Sequence, residues 1–130
     1  MTANGAGADI ITCATITSTN GPVTLQTNGG ANADVIINNN VTSGGLLTLA
    51  SGNGAGADVT VAAAVTAQGT AMNVTTPDLN INAGSNVIAT TGSVNIQSLL
   101  PVTNTLTVDF LGNGNITANN GNVLFNNTAG

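Results

Sequence analysis

The chain has 130 residues, and five Asp set its formal charge of −5; it contains no Lys, Arg, His, Glu, Trp or Tyr. With no cationic side chain it has nothing to neutralise phosphates or to hold an anionic membrane surface, so nucleic-acid binding is excluded and no membrane partner is expected. With no His, Glu or Lys, the usual general acids, bases and activated nucleophiles are missing, and an enzyme is not expected.

The composition is otherwise dominated by 21 Asn, 21 Thr, 18 Ala and 17 Gly. Such polarity would suit disorder, but 31 residues are Val, Ile or Leu, and they alternate with polar ones. That pattern can bury one face, giving a narrow core. No apolar run approaches the ~18 residues that span a bilayer, so no membrane insertion is expected. No basic, hydrophobic leader follows Met1, and we read the chain as a processed piece of an exported protein or a fragment given a starting Met.

The first element begins at "NGAGADIIT", residues 4–12, with similar stretches at "GGANADVII" from Gly29 and "NGAGADVTV" from Asn53. Each resembles the nonapeptide of calcium-binding β-rolls, but it recurs about every 24 residues rather than every nine. Aligned on Asp9, Asp34, Asp58 and Asp78, the chain divides into units, with a fifth expected to start near Thr105 in "TLTVDF". Within each unit a first strand alternates apolar residues: Ile10 with Thr12, Val35 with Ile37, Val59 with Val61, Leu79 with Ile81 and Leu106 with Val108. A second apolar position follows at Ile16, Val41, Val65, Val87 and Ile116. A third strand closes the unit at Val23/Leu25, Leu47/Leu49, Met72/Val74, Val94/Ile96 and Val123/Phe125. Six Asn-Gly pairs mark the joints, since both residues tolerate positive φ. The stretch 98–105, "SLLPVTNT", breaks the pattern and reads as a longer loop, because Pro101 cannot donate to a ladder.

Three short strands per ~24 residues fit one coil of a solenoid. The expected fold is all-β: a single-chain β-solenoid, a right-handed parallel β-helix of about five three-stranded coils spanning 1–130. Strands then stack ~4.8 Å apart, with aliphatic columns inside and Asn columns at the corners. Stacked like charges would repel at that spacing, which accounts for their scarcity.

Units such as "GNITANNGNVLFNNTAG" and "GADVTVAAAVTAQG" resemble the repeats of filamentous-haemagglutinin-like exoproteins, large bacterial surface proteins with β-strand repeats. The resemblance implies a β-helical stalk exported to the cell surface. It carries over no catalytic or ligand residue.

The candidate sites are few. Asp9, Asp34, Asp58 and Asp78 should form one column, either capping backbone N–H groups at a corner or, alternatively, holding calcium between successive carboxylates. No other cofactor is implied. A partial Thr column (Thr17, Thr42, Thr66, Thr117, interrupted by Ile88) raises ice binding, but its companions Thr15, Asn40 and Ala64 do not make a second column. Ile11 and Ile36 should point outward, where later coils have Thr60, Asn80 and Thr107. Cys13 is single, so no internal disulfide forms, and it is read as a small corner residue. Sequons occur at Asn40, Asn73, Asn115 and Asn126. The expected function is that of a structural segment in an extracellular fibre, stalk or surface layer. Its uncapped ends would meet further coils or copies stacked head to tail. The alternative is an adhesive module that recognises a surface glycan or a receptor.

Overall fold

The structure is a computed structural model and describes residues 1–98 and 106–127. It is a β-solenoid. The strands, in chain order, are β1 (Thr2–Ala3), β2 (Ile10–Ile11), β3 (Ile16–Ser18), β4 (Val23–Thr27), β5 (Val35–Ile37), β6 (Val41–Ser43), β7 (Leu46–Ala50) and β8 (Asp58–Val61). They continue as β9 (Thr66–Gly69), β10 (Ala71–Thr75), β11 (Asp78–Ile81), β12 (Asn86–Ala89), β13 (Val94–Ser98), β14 (Thr107–Phe110), β15 (Asn115–Ala118) and β16 (Val123–Asn127). No helix among the described residues is long and apolar enough to cross a membrane.

Every third strand stacks on the one before it, always in parallel. The first sheet runs β1-β4-β7-β10-β13-β16, the second β2-β5-β8-β11-β14 and the third β3-β6-β9-β12-β15. Each coil therefore supplies one strand to each of three sheets, and β1 adds an extra row to the first. A parallel pair cannot be joined by a tight hairpin; here the crossover is the rest of the coil itself.

Alternation puts one face of all three sheets into a single core. Its largest fully buried side chains include Leu25, Ile37, Leu47, Leu49, Met72, Leu79, Ile81 and Ile96. Each such aliphatic side chain contributes on the order of 1.5–3 kcal/mol through burial. The stacking is homotypic: Val35 lies on Val59, Val59 on Leu79, Ile37 on Val61 and Val61 on Ile81. In the first sheet the columns Val23-Leu47-Met72-Val94-Val123 and Leu25-Leu49-Val74-Ile96-Phe125 run through all five coils, as the alternation predicts.

Two expected registers are corrected. In the fifth coil, Asp78 pairs with Thr107 and Leu79 with Val108, so the unit begins two residues later than Thr105, which itself lies outside the described residues. Phe110, not Val108, then stacks on Ile81, and the outward position after the Asp column holds Asp109 rather than Thr107. In the third coil, Ala67, not Val65, pairs with Val41 and with Val87. Val65 is buried in the turn before β9, where its N–H donates to the Ala62 carbonyl. The loop expected over 98–105 lies, beyond Ser98, outside the described residues; Ser98 closes β13.

The recurrent Gly-Ala-x-Ala-Asp lead is a corner. Gly7 (φ 65°), Asn32 (φ 53°) and Gly56 (φ 72°) each adopt the left-handed conformation two residues before the Asp. That region favours Gly and tolerates Asn, which is why the motif offers only those two residue types there.

Candidate functional site

The four Asp residues expected in a column are brought together. Asp58 and Asp78 are direct register partners on β8 and β11. The Asp34 backbone N–H donates to Asp9 Oδ1 at 3.0 Å, and the Asp58 N–H donates to Asp34 Oδ1 at 2.9 Å. Each of these two carboxylates thus accepts from the following coil, fastening one coil to the next. The Asp58 carboxyl is held above its ordinary value of 3.8, first by burial and then by the charges of Asp34 and Asp78. Among the described residues no group of three or more His, Cys, Asp or Glu side chains is arranged to hold a metal ion.

A second column was not anticipated from the sequence. Thr27 and Ser98 are the last residues of β4 and β13, Ser51 and Thr76 directly follow β7 and β10, and all four are buried. Thr27 donates its hydroxyl to the Ala33 carbonyl at 3.0 Å; Ser51 donates to Thr76 Oγ1 at 2.8 Å, and Thr76 to the Asp78 carbonyl at 2.6 Å. The hydroxyls satisfy carbonyls at the corner where the first sheet turns into the second. A repeated Thr or Ser after each third strand is the signal, easily lost in a Thr-rich chain. Beside this corner lies a cleft of about 300 Å³ whose lining includes Gln26, Asn28, Ser51, Asn53, Thr75 and Pro77. It contains hydrogen-bonding groups of both senses and no charge.

Amides extend the same logic outside. Asn28 Nδ2 donates to Asn4 Oδ1 at 2.9 Å across a corner, and Asn95 Nδ2 donates to Asn73 Oδ1 at 3.1 Å on the outer face of the first sheet. Asn40 Oδ1 accepts the Thr66 N–H at 2.8 Å, so two of the sequon amides are engaged between coils. The Thr column does not form as expected. The register runs Thr17, Thr42, Gln68, Ile88, Thr117, because Thr66 pairs with Asn86 instead. Cys13 is exposed. Ile11 is exposed beside the half-buried Ile36.

The two ends of the stack differ from its middle. Phe125, an inward residue standing on Ile96, is 56% exposed, and Phe110, standing on Ile81, is 48% exposed. Their counterparts Ile96 and Ile81 are 0% exposed. Among the described residues no strand pairs with the outer edges of β14, β15 and β16. Comparison with family models, with curated proteins and with solved structures finds no match.

Proposed function

We propose that this chain is a structural segment of a β-helical fibre, stalk or surface layer outside the cell, stacking on further coils or on other copies. The observation that carries this reading is that successive coils are joined by side-chain as well as backbone hydrogen bonds, along the Asp, hydroxyl and Asn columns. The resemblance to filamentous-haemagglutinin-like repeats and the absence of Lys and Arg, which leaves trypsin-like proteases no cleavage site, support the extracellular setting. Inter-coil bonding by side chains as well as backbone suits a mechanical role, since sliding one coil past another breaks both sets together.

The test is the mass of the 130-residue chain in solution across a dilution series. Mass should rise with concentration, and Phe125→Asp should suppress the rise. A monomer that persists at high concentration opposes the reading.

The adhesive alternative rests on the uncharged polar cleft beside the hydroxyl column, whose chemistry suits a neutral saccharide. Binding on a glycan array, lost on Asn53→Ala, would favour it.

A further inference from the structure

The corner between the first and second sheets changes length along the stack. Residues 28–34 join β4 to β5 and residues 51–57 join β7 to β8, whereas Thr76 and Pro77 alone join β10 to β11. The two long corners lie against each other: the Asn32 N–H donates to the Ala55 carbonyl at 3.2 Å, and the Gly52 N–H to the Ala33 carbonyl at 2.8 Å. The corner 28–34 is met on its other side by the segment before β2, where the Gly7 N–H donates to the Ala31 carbonyl at 3.2 Å. Thr76 and Pro77 are too few to lay a further layer over 53–57. The cleft of about 300 Å³ is lined from both sides of this step, by Asn53 as well as by Thr76 and Pro77.

The step falls on chemistry that the chain carries in each of its Asn-Gly pairs. There the glycine nitrogen, with no side chain beside it, can attack the amide carbon of the preceding Asn. The attack needs an amide and a nitrogen that are free to meet. At Asn28–Gly29 the amide is held twice, since Nδ2 donates to Asn4 Oδ1 at 2.9 Å and Oδ1 accepts from Gln26 Nε2, and Gly29 is buried. At Asn20–Gly21 the attacking nitrogen is held, because the Gly21 N–H donates to Ser18 Oγ at 3.2 Å. At Asn53–Gly54 neither group is held. Asn53 is exposed, and among the described residues neither its amide nor the Gly54 N–H has a hydrogen-bond partner.

We propose that Asn53 is a self-modification site, converted without an enzyme to aspartate or isoaspartate. The Gly54 nitrogen bonds to Asn53 Cγ. The Cγ–Nδ2 bond breaks, and the side-chain nitrogen leaves as ammonia with the proton given up by Gly54. Water then opens the cyclic imide. Opening at Cγ leaves the carboxylate on the side chain, as aspartate; opening at the main-chain carbonyl carbon routes the chain through Cγ, as isoaspartate. Nothing is oxidised or reduced. Either product puts a negative charge into a cleft otherwise lined by uncharged groups, in a chain with no Lys or Arg to pair with it. The inference is independent of the stacking read above.

Cleavage before Asp separates the sites. Asn20 and Asn28 fall in fragment 9–33, Asn53 heads the only Asn-Gly pair of fragment 34–57, and Asn113 and Asn120 lie beyond Asp109. The full chain is aged in mildly alkaline buffer, then unfolded and cut, and the fragments are weighed. In the folded chain, fragment 34–57 should gain the amide-to-acid mass about fourfold faster than 9–33, since one hydrogen bond of ordinary strength restrains the Asn20 pair and two restrain Asn28. In the chain aged in guanidinium the order should reverse, because 9–33 has two Asn-Gly pairs to one. A new cut ahead of residue 53 marks aspartate, and a mass gain without that cut marks isoaspartate. Asn53→Gln should abolish the gain in 34–57 and leave that in 9–33 unchanged. No gain in 34–57, an equal or faster gain in 9–33 of the folded chain, the same order folded and unfolded, or a gain in 34–57 that survives Asn53→Gln would each overturn the assignment.

Discussion

Asp34 reaches across one coil step to take the backbone N–H of Asp58 at 2.9 Å, so a residue that repels its neighbour's side chain also anchors that neighbour's backbone. The two effects do not balance equally along the column. Asp58 lies between Asp34 and Asp78 and is half-buried, and its carboxyl is raised by burial and by both neighbours. The native state therefore keeps this proton to higher pH than the unfolded chain does. Between the unfolded value and the higher folded one, stability falls as pH rises, and acidification from neutral restores it. Asp58→Asn should raise the melting temperature at neutral pH, by the ~0.2–1 kcal/mol that relief of like-charge cross-strand neighbours brings. It should also flatten the gain on acidification, because the parent's Asp58 takes up its proton at higher pH when folded than when unfolded. Thermal melts of both chains at neutral and mildly acid pH check this, and an asparagine variant less stable than the parent at neutral pH would refute it.

The same column separates corner capping from calcium binding. Carboxylates that accept N–H groups from the next coil need no ion, so a chelator should leave the melting temperature unchanged. If Asp9, Asp34, Asp58 and Asp78 hold calcium instead, chelation lowers the melting temperature and added calcium restores it, because a ligand bound only to the native state stabilises it by mass action.

Alternation assigns faces, and charge scanning reads them out. Val61 is 0% exposed and lies between Ile37 and Ile81. Val61→Asp places an unpaired carboxylate in a core only one coil cross-section wide, and should cost several kcal/mol or prevent folding. Thr48→Asp, on the outward face of the first sheet between Thr24 and Asn73, should stay within about 0.5 kcal/mol. Urea melts of the two variants should differ widely; equal stability would mean that the inward set is misassigned.

These assignments show what the sequence makes legible. The three-stranded coil, the Asp column and both columns of the first sheet follow from period-2 alternation and the turn residues alone. Both errors are slips of two residues: Val65 for Ala67, and Thr105 for Thr107. A slip of one would turn the apolar set outward and be noticed, whereas a slip of two keeps the same face inward. In the third coil the confusion comes from Ala64, whose left-handed φ of 59° adds a turn before β9 and buries Val65 outside the strand. In the fifth, Leu106, Val108 and Phe110 share one parity, and only the pairing to Leu79 and Ile81 decides between them. The extra strand β1 was not legible, because two residues are too few to show alternation. Nor was the hydroxyl column, since Thr27 and Thr76 are hidden among 21 Thr and Ser takes the other two places.

That column offers a measure of how firmly the coils are joined at their corner. Thr76 accepts from Ser51 at 2.8 Å and donates to the Asp78 carbonyl at 2.6 Å, and both side chains are buried. Thr76→Val keeps the shape and removes both bonds, at a cost on the order of 1–3 kcal/mol. The lower end of that range is expected, because the Ser51 hydroxyl already lies 3.3 Å from the Gly52 carbonyl and can turn its proton there. Ser51→Ala alone should cost less, since Thr76 keeps its bond to Asp78. Adding Ser51→Ala to Thr76→Val should then cost little more than Thr76→Val alone, because the shared bond can be lost only once. Urea midpoints for the two single variants and the double variant close the cycle. Fully additive losses would show that the two hydroxyls act independently.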